Sequence, residues 1–282
     1  MKGNTQENKE KLKLIKALIE NVILENEIEK NKSKVIEKIL KNEISISEID
    51  EKIHNLEIDL YAKRFTILVK TRKEEKKEAL ITLEKSLDKK KYFLLDLKKD
   101  KILILVTFQK NEKENIREIV SYIEKKLKTK LQNLRIGIGN IKKNIKNINE
   151  SLLEAQIAME IGEIFEKENK TIYYNNLGIN RIIYKLPNFI CEEFIKETLN
   201  EDKIKKLNKE MLVTINEFFE NNLNISETSR KLFVHRNTLI YRLEKIKNLT
   251  GLDLKTFKDA MKFKLALTIQ KYLNYSKNHD DI

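Results

Sequence analysis

The sequence predicts an α+β chain in three parts: an N-terminal helical arm, a split βαβ domain and an all-α C-terminal part. Three observations predict it. Near the start, Leu12, Ile15, Leu18, Ile19, Val22 and Ile23 recur at helical spacing. From about residue 61 the period shortens, and β-branched runs alternate with helical ones. After Pro187, the only proline, every apolar stripe returns to helical spacing. With 282 residues, the chain is long enough for two compact domains or one large one. The expected boundaries are an arm over 1–58, a mixed domain over 59–176, linker helices over 177–204 and a helical domain over 205–275.

The arm reads as helix from about residue 8 to 41. Its stripe is interrupted by Glu25, Glu29 and Lys32, where a coiled-coil seam would continue. A helical hairpin or packing arm fits better than a long coiled coil. "SISEIDEKIHNL" starts a second helix, with Ser45 or Ser47 as cap and Glu48 or Asp50 as the acid of a capping box.

In the mixed domain, "RFTILVK" is a strand and "KEEKKEALITLEKSL" a helix with Ala79, Leu80, Leu83 and Leu87 on one face. "KYFLLDL" and "KILILVTF" are strands joined by the short polar "KKD", a hairpin by its length. "EKENIREIVSYIEKKL" is helical, with Ile116, Ile119, Val120, Ile123 and Leu127 in phase. "LRIGIG" is a strand, "NESLLEAQIAMEIGEIF" a helix and "KTIYYN" a last strand. The order β-α-β-β-α-β-α-β predicts a split βαβ sheet with helices on one face.

Composition narrows the function. No apolar run is long enough to span a bilayer, and "MKGNTQENKE" lacks the apolar core of a signal peptide. A cytoplasmic location is expected. One cysteine, Cys191, excludes an intrachain disulfide and a multi-cysteine metal site; it reads as a buried small hydrophobe. His54, His235 and His279 are far apart in sequence, so no metal is expected. "GIGNIK" lacks the third glycine of a dinucleotide fingerprint and reads as strand-end glycines. No cofactor is expected. The formal net charge of +13 favours acidic partners. Lys, Asn and Ile are abundant from end to end, so local concentration is the better guide. Arg230, Lys231, Arg236, Arg242, Lys245 and Lys247 lie within one short stretch, opposed only by Glu244.

That stretch is "NISETSRKLFVHRNTLIYRLEKIKNLTG". Ser226 can cap a short helix that runs to about Leu232, with Ile225, Ser229 and Leu232 inward. Ser229 is small enough for a second helix to cross closely. "FVH" is a tight connection, and a second helix runs from about Arg236 to Asn248 on a core stripe of Leu239, Leu243 and Ile246. Thr250 and Gly251 end it, the glycine taking a left-handed cap. Two short helices, a tight turn and a small residue at the crossing make a helix-turn-helix, whose second helix enters the major groove by its N-terminal end. Arg236 and Arg242 are forks that suit guanine O6/N7 or a phosphate, and Asn237 suits adenine N6/N7. Thr238, Tyr241 and His235 suit phosphates, while Lys245 and Lys247 add sequence-independent charge. Structural roles compete: His235 or Asn237 as the helix cap, Tyr241 packed on a neighbouring helix, Arg242 as a solvated surface charge. "KFKLALTIQKYL" reads as a terminal helix packed on this domain rather than a membrane-surface helix.

"LFVHRNTLIYRLEKIKNLTGLDL", with "MLVTINEFFENNLNISETSRKL" before it, resembles the C-terminal DNA-binding domain of the CdaR and PucR regulator families. The resemblance rests on His235 to Leu243 followed by Thr250-Gly251 and covers about residues 205–273; the recognition helix is also similar to the Fis-type helix-turn-helix. More weakly, "LEIDLYAKRFTILVK", "LRIGIGN" and "INESLLEAQIAMEIG" resemble the GGDEF-like, cyclase-palm-like domain of these regulators. The hairpin "LLDLKKDKILIL" departs from a cyclase, holding no Gly-Gly-Asp/Glu-Glu-Phe turn, so no cyclase activity is expected. Many carbohydrate-diacid regulators begin with a long sensor domain, whereas about 60 residues precede the mixed domain here.

The resemblance implies a non-enzymatic, sequence-specific DNA-binding regulator of a catabolic operon, for a sugar diacid or related metabolite. Its expected partners are double-stranded DNA, a second copy of the chain in a homodimer or higher oligomer, and a small-molecule effector, with no membrane. The competing functions are a non-catalytic ligand-sensing or dimerisation protein acting through a protein partner, a cyclase, and an RNA-binding protein. No aromatic platform for single-stranded RNA is visible.

Overall fold

A computed structural model describes residues 3–56, 58–97, 99–109, 115–166, 168–199 and 206–277. The chain divides into two compact units: residues 1–162 with 168–177, and residues 163–167 with 178–282.

The first unit opens with α1 (Gly3–Leu40) and α2 (Ile46–Asn55). Ser45, not Ser47, is the cap of α2: its Oγ accepts from the Glu48 N–H, and the Glu48 carboxylate accepts from the Ser45 N–H at 3.1 Å. The two helices form the expected hairpin at the far end of α1, where Val35, Ile39 and Leu40 are buried with Ile49 and Ile53. The predicted stripe has a different fate. Leu12, Ile15, Leu18, Ile19 and Ile23 are all exposed. Helical period is therefore legible in residues that nothing in the described unit covers.

The sheet consists of β1 (Arg64–Lys70), β2 (Tyr92–Asp96), β3 (Lys101–Thr107), β4 (Arg135–Ile138) and β5 (Thr171–Tyr173), with α3 (Lys76–Ser86), α4 (Ile116–Lys128) and α5 (Ile148–Phe165) between them. The strand order is β2-β3-β1-β4-β5. Neighbours are antiparallel except β4 and β5, which are parallel across the α5 crossover. The split βαβ order is as predicted, but the helices lie on both faces. Phe65, Ile67, Val69, Ile102 and Ile104 pack under α3 and α4 through Ala79, Leu83, Val120 and Ile123. Leu68, Leu103 and Leu105 face the other way, onto Ile39, Ile53, Ile148, Ala155 and Met159. The signal was in the strands. "ILILV" is a continuous apolar run and "FTILV" is interrupted only by Thr66, and both pleat faces of such a strand must be buried.

The β2–β3 turn, where the cyclase signature is missing, is tied down from α3. The Lys76 ammonium pairs with Asp96 and donates to the carbonyls of Leu97 and Lys99. The glycines of "GIG" serve close packing. A Cβ on Gly139 would lie 2.0 Å from the Ser151 carbonyl oxygen, and one on Gly137 would lie 2.2 Å from that of Ala155. The same junction buries Ser151, whose Oγ accepts from the Thr66 N–H at 3.0 Å and donates to the Asn140 carbonyl at 2.9 Å. Gly139→Ala should therefore force α5 away from the sheet and lower stability by about 1–3 kcal/mol, read as a lower Tm in a thermal melt.

The second unit is all-helical: α6 (Ile179–Lys185), α7 (Asn188–Thr198), α8 (Lys209–Glu220), α9 (Ile225–Lys231), α10 (Arg236–Thr250) and α11 (Phe257–Lys277). The segment expected as linker helices is not a linker. Ile183, Cys191, Ile195 and Leu199 are buried in one core with Ile215, Phe218, Leu239 and Phe263. Pro187 is the N-cap of α7 inside this unit, as proline suits a helix start as well as a break. Cys191 is buried as expected. The terminal helix packs through Phe263, Ala266, Ile269 and Leu273. It continues to Lys277, and residues 278–282 lie outside the described part. Among the described residues, no helix is long and apolar enough to cross a membrane.

Candidate nucleic-acid interface

α9 is capped by Asn224, whose side chain accepts from the Glu227 N–H at 3.1 Å. The expected cap, Ser226, lies instead inside the first turn. The missed signal was Asn224 followed three residues later by an acid, a capping pattern one step upstream. Thr228 and Ser229 are buried where α9 meets α10. The helix closes on a Schellman turn: Val234 N–H donates to Ser229 at 3.0 Å and Phe233 N–H to Arg230 at 3.1 Å.

His235 then caps α10, its Nδ1 accepting from the Asn237 N–H at 3.2 Å. Of the two capping candidates, His235 holds the place, and the Asn237 side chain is left outward. Leu239, Leu243 and Ile246 are fully buried and fix the rotation of the helix. Gly251 ends it with φ of 80°, as its left-handed cap requires.

Anchoring that face turns the opposite one to solvent. Arg236, Asn237, Thr238, Tyr241 and Lys245 are exposed, Tyr241 at 67%. Asn237, Tyr241 and Lys245 are spaced by four and form one ridge. Among the described residues, none of these five side chains has a hydrogen bond or an ion pair. The packed alternative for Tyr241 is not what the structure shows.

Two predicted members point elsewhere. Arg242 pairs with Glu210 of α8 at 2.6 Å and donates to Thr214 Oγ1 at 3.4 Å, with 21% of its side chain exposed. It ties α10 to α8, a contact between residues far apart in sequence. Lys247 is held by Asp253 at 2.9 Å, and that hydrogen bond keeps the Asp253 carboxyl below the usual carboxylate range. Glu244, the one acid in the basic run, pairs with Lys255. Arg236 and Lys245, the exposed cations of α10, have no ion pair among the described residues.

Comparison with known proteins bears on both units. Residues 211–269 match the PucR C-terminal helix-turn-helix domain, and residues 41–161 match the GGDEF-like domain. The chain is 28% identical over 178 residues to the purine catabolism regulatory protein of Bacillus subtilis (strain 168), covering 61% of this chain and 33% of that protein. It is 30% identical over 137 residues to the carbohydrate diacid regulator of Escherichia coli (strain K12), covering 49% and 36%. It is 30% identical over 140 residues to the proline-responsive transcriptional activator PutR of Bacillus subtilis (strain 168), covering 48% and 34%. The alignments span about a third of the length of each of these relatives. The chain thus carries a GGDEF-like domain followed by a PucR C-terminal helix-turn-helix domain, the pairing by which it is similar to the CdaR and PucR regulators.

Proposed function

We propose that this protein is a sequence-specific regulator of transcription that binds double-stranded DNA through α10 and controls a catabolic operon. The observation that carries the proposal is the exposed, unpaired group Arg236, Asn237, Thr238, Tyr241 and Lys245 on a helix whose opposite face is fully buried. Arg236 is the guanine reader and Asn237 the adenine reader. Thr238, Tyr241 and the Nε2 side of His235 set position on phosphates. Arg242 holds the helix in place through Glu210 rather than reading a base. The three relatives are named for purine catabolism, carbohydrate diacid and proline. Catabolic control by a small-molecule effector is therefore proposed without assigning the effector.

The GGDEF-like domain is proposed to be non-catalytic. Its hairpin turn carries no signature acids, and Lys76 occupies the turn carbonyls. DNA binding is proposed to be dimeric, since one recognition helix reads few base pairs. Two half-sites would then lie about 34 Å apart, or a multiple of that.

Genome-fragment selection with the purified protein at about 150 mM salt tests the proposal. Enrichment of a paired half-site, lost with Arg236→Ala, supports it. Binding without enrichment that collapses as salt rises leaves only non-specific attraction and refutes it. Lys245→Ala should weaken specific and random duplexes alike and reduce the slope of log affinity against log salt by about one, measured by anisotropy titration.

A further inference from the structure

The turn between α9 and α10 contains a residue that the fold does not explain. Phe233 occupies the left-handed position of the Schellman turn, with φ of 54°, where glycine is strongly preferred. A bulky side chain there is strained. Burial would be the usual compensation, yet Phe233 is 96% exposed. The other non-glycine residues with positive φ are explicable: Asn42 and Asn222 tolerate this region, Lys99 is a polar turn residue, and Leu223 packs against the helical core. Phe233 alone among them combines strain with an exposed aromatic ring.

Its position says what could cover the ring. Lys231 precedes it and Arg236 and Asn237 follow it, all three exposed, while Arg230, also exposed, is paired with Glu227. An apolar ring framed by cations suits a surface where apolar atoms lie between phosphates. In a duplex these are the deoxyribose faces and the thymine methyl groups in the major groove.

We propose that Phe233 is a DNA-contacting residue, its ring packing against deoxyribose or thymine methyl at the edge of the groove that α10 enters. This rests on the DNA-binding function proposed above. Strain in the free turn is then retained because the exposed ring gains its burial only in the complex.

The test uses the full chain and the fragment that the parent protein enriches. Phe233→Gly removes both ring and strain, and Phe233→Asn removes the ring while keeping a residue tolerant of positive φ. Both should bind about tenfold more weakly, while Phe233→Gly melts at the parent's Tm or above. Replacing thymine by deoxyuracil in the fragment separates the two apolar sources. If the ring sits on a thymine methyl, the parent loses affinity and the variants do not; if it sits on deoxyribose, the parent is unaffected. Parent-like affinity in both variants would overturn the proposal while leaving the DNA-binding function intact. So would a lower Tm in both, which would make Phe233 a structural residue, or altered sedimentation at unchanged affinity, which would assign the ring to a protein contact. Failure of the parent to enrich any fragment would be a failure of the function itself.

Discussion

Arg236→Ala is expected to bind the enriched fragment with a loss of about 1–3 kcal/mol, roughly 5- to 150-fold, and to melt at the parent's temperature. The side chain is exposed and has no partner among the described residues, so the fold loses nothing when it goes. The loss should fall on one position of the site. Titration against a set of single-base variants reads this directly, because a guanine contact disappears only where the guanine is present. Equal loss on every sequence would reassign Arg236 to a phosphate. Arg242→Ala offers the contrast. Its removal breaks the pair with Glu210 and leaves Thr214 without that donor, so melting temperature and affinity should move together.

Phe218→Ala is expected to have the largest effect on stability, about 3–5 kcal/mol, within reach of the whole margin of a small domain. Phe218 is fully buried in the helical core beside Ile215, Leu239 and Phe263. The same helix carries Glu210 and Thr214, which hold Arg242. The cavity should therefore loosen α10 while leaving its outer face chemically intact. Thermal melting should show an early transition, and DNA affinity should fall with it. Saturating specific DNA should restore part of the Tm, since a ligand that binds only the folded form stabilises it. Arg236→Ala should show the reverse pattern: normal melting, weaker binding and less protection at the same DNA concentration. The pair of variants separates the interface from the core beneath it.

The contrast between these two residues marks what can be seen in one chain of letters. The face of α10 is local information. Leu239, Leu243 and Ile246 share a helical stripe, so the opposite face had to carry Asn237, Tyr241 and Lys245 outward. The Gly251 cap is equally local, because a left-handed turn at a helix end selects glycine. The order of strands and helices along the chain followed from the alternation of short and helical periods. Two-sided burial of the sheet was also present, in the runs "ILILV" and "FTILV", the second interrupted only by Thr66, but an expectation of helices on one face passed over it.

Other features depend on pairings that no local pattern specifies. Arg242 is separated from Glu210 by 32 positions, and the sequence alone offers it equally as a base reader. Ile183, Cys191 and Ile195 look like linker residues until the core that they fill is assembled. Phe233 is an ordinary aromatic in the sequence, and its positive φ and its exposure exist only once the turn closes. The apolar stripe of α1 shows the opposite limit, since its period is clear and the described unit covers none of Leu12, Ile15, Leu18, Ile19 or Ile23. Helical period and turn chemistry arise from neighbours a few residues apart, so they are written in the chain. Partners, burial and strain arise from groups brought together across the fold, and they are settled only when the chain has packed.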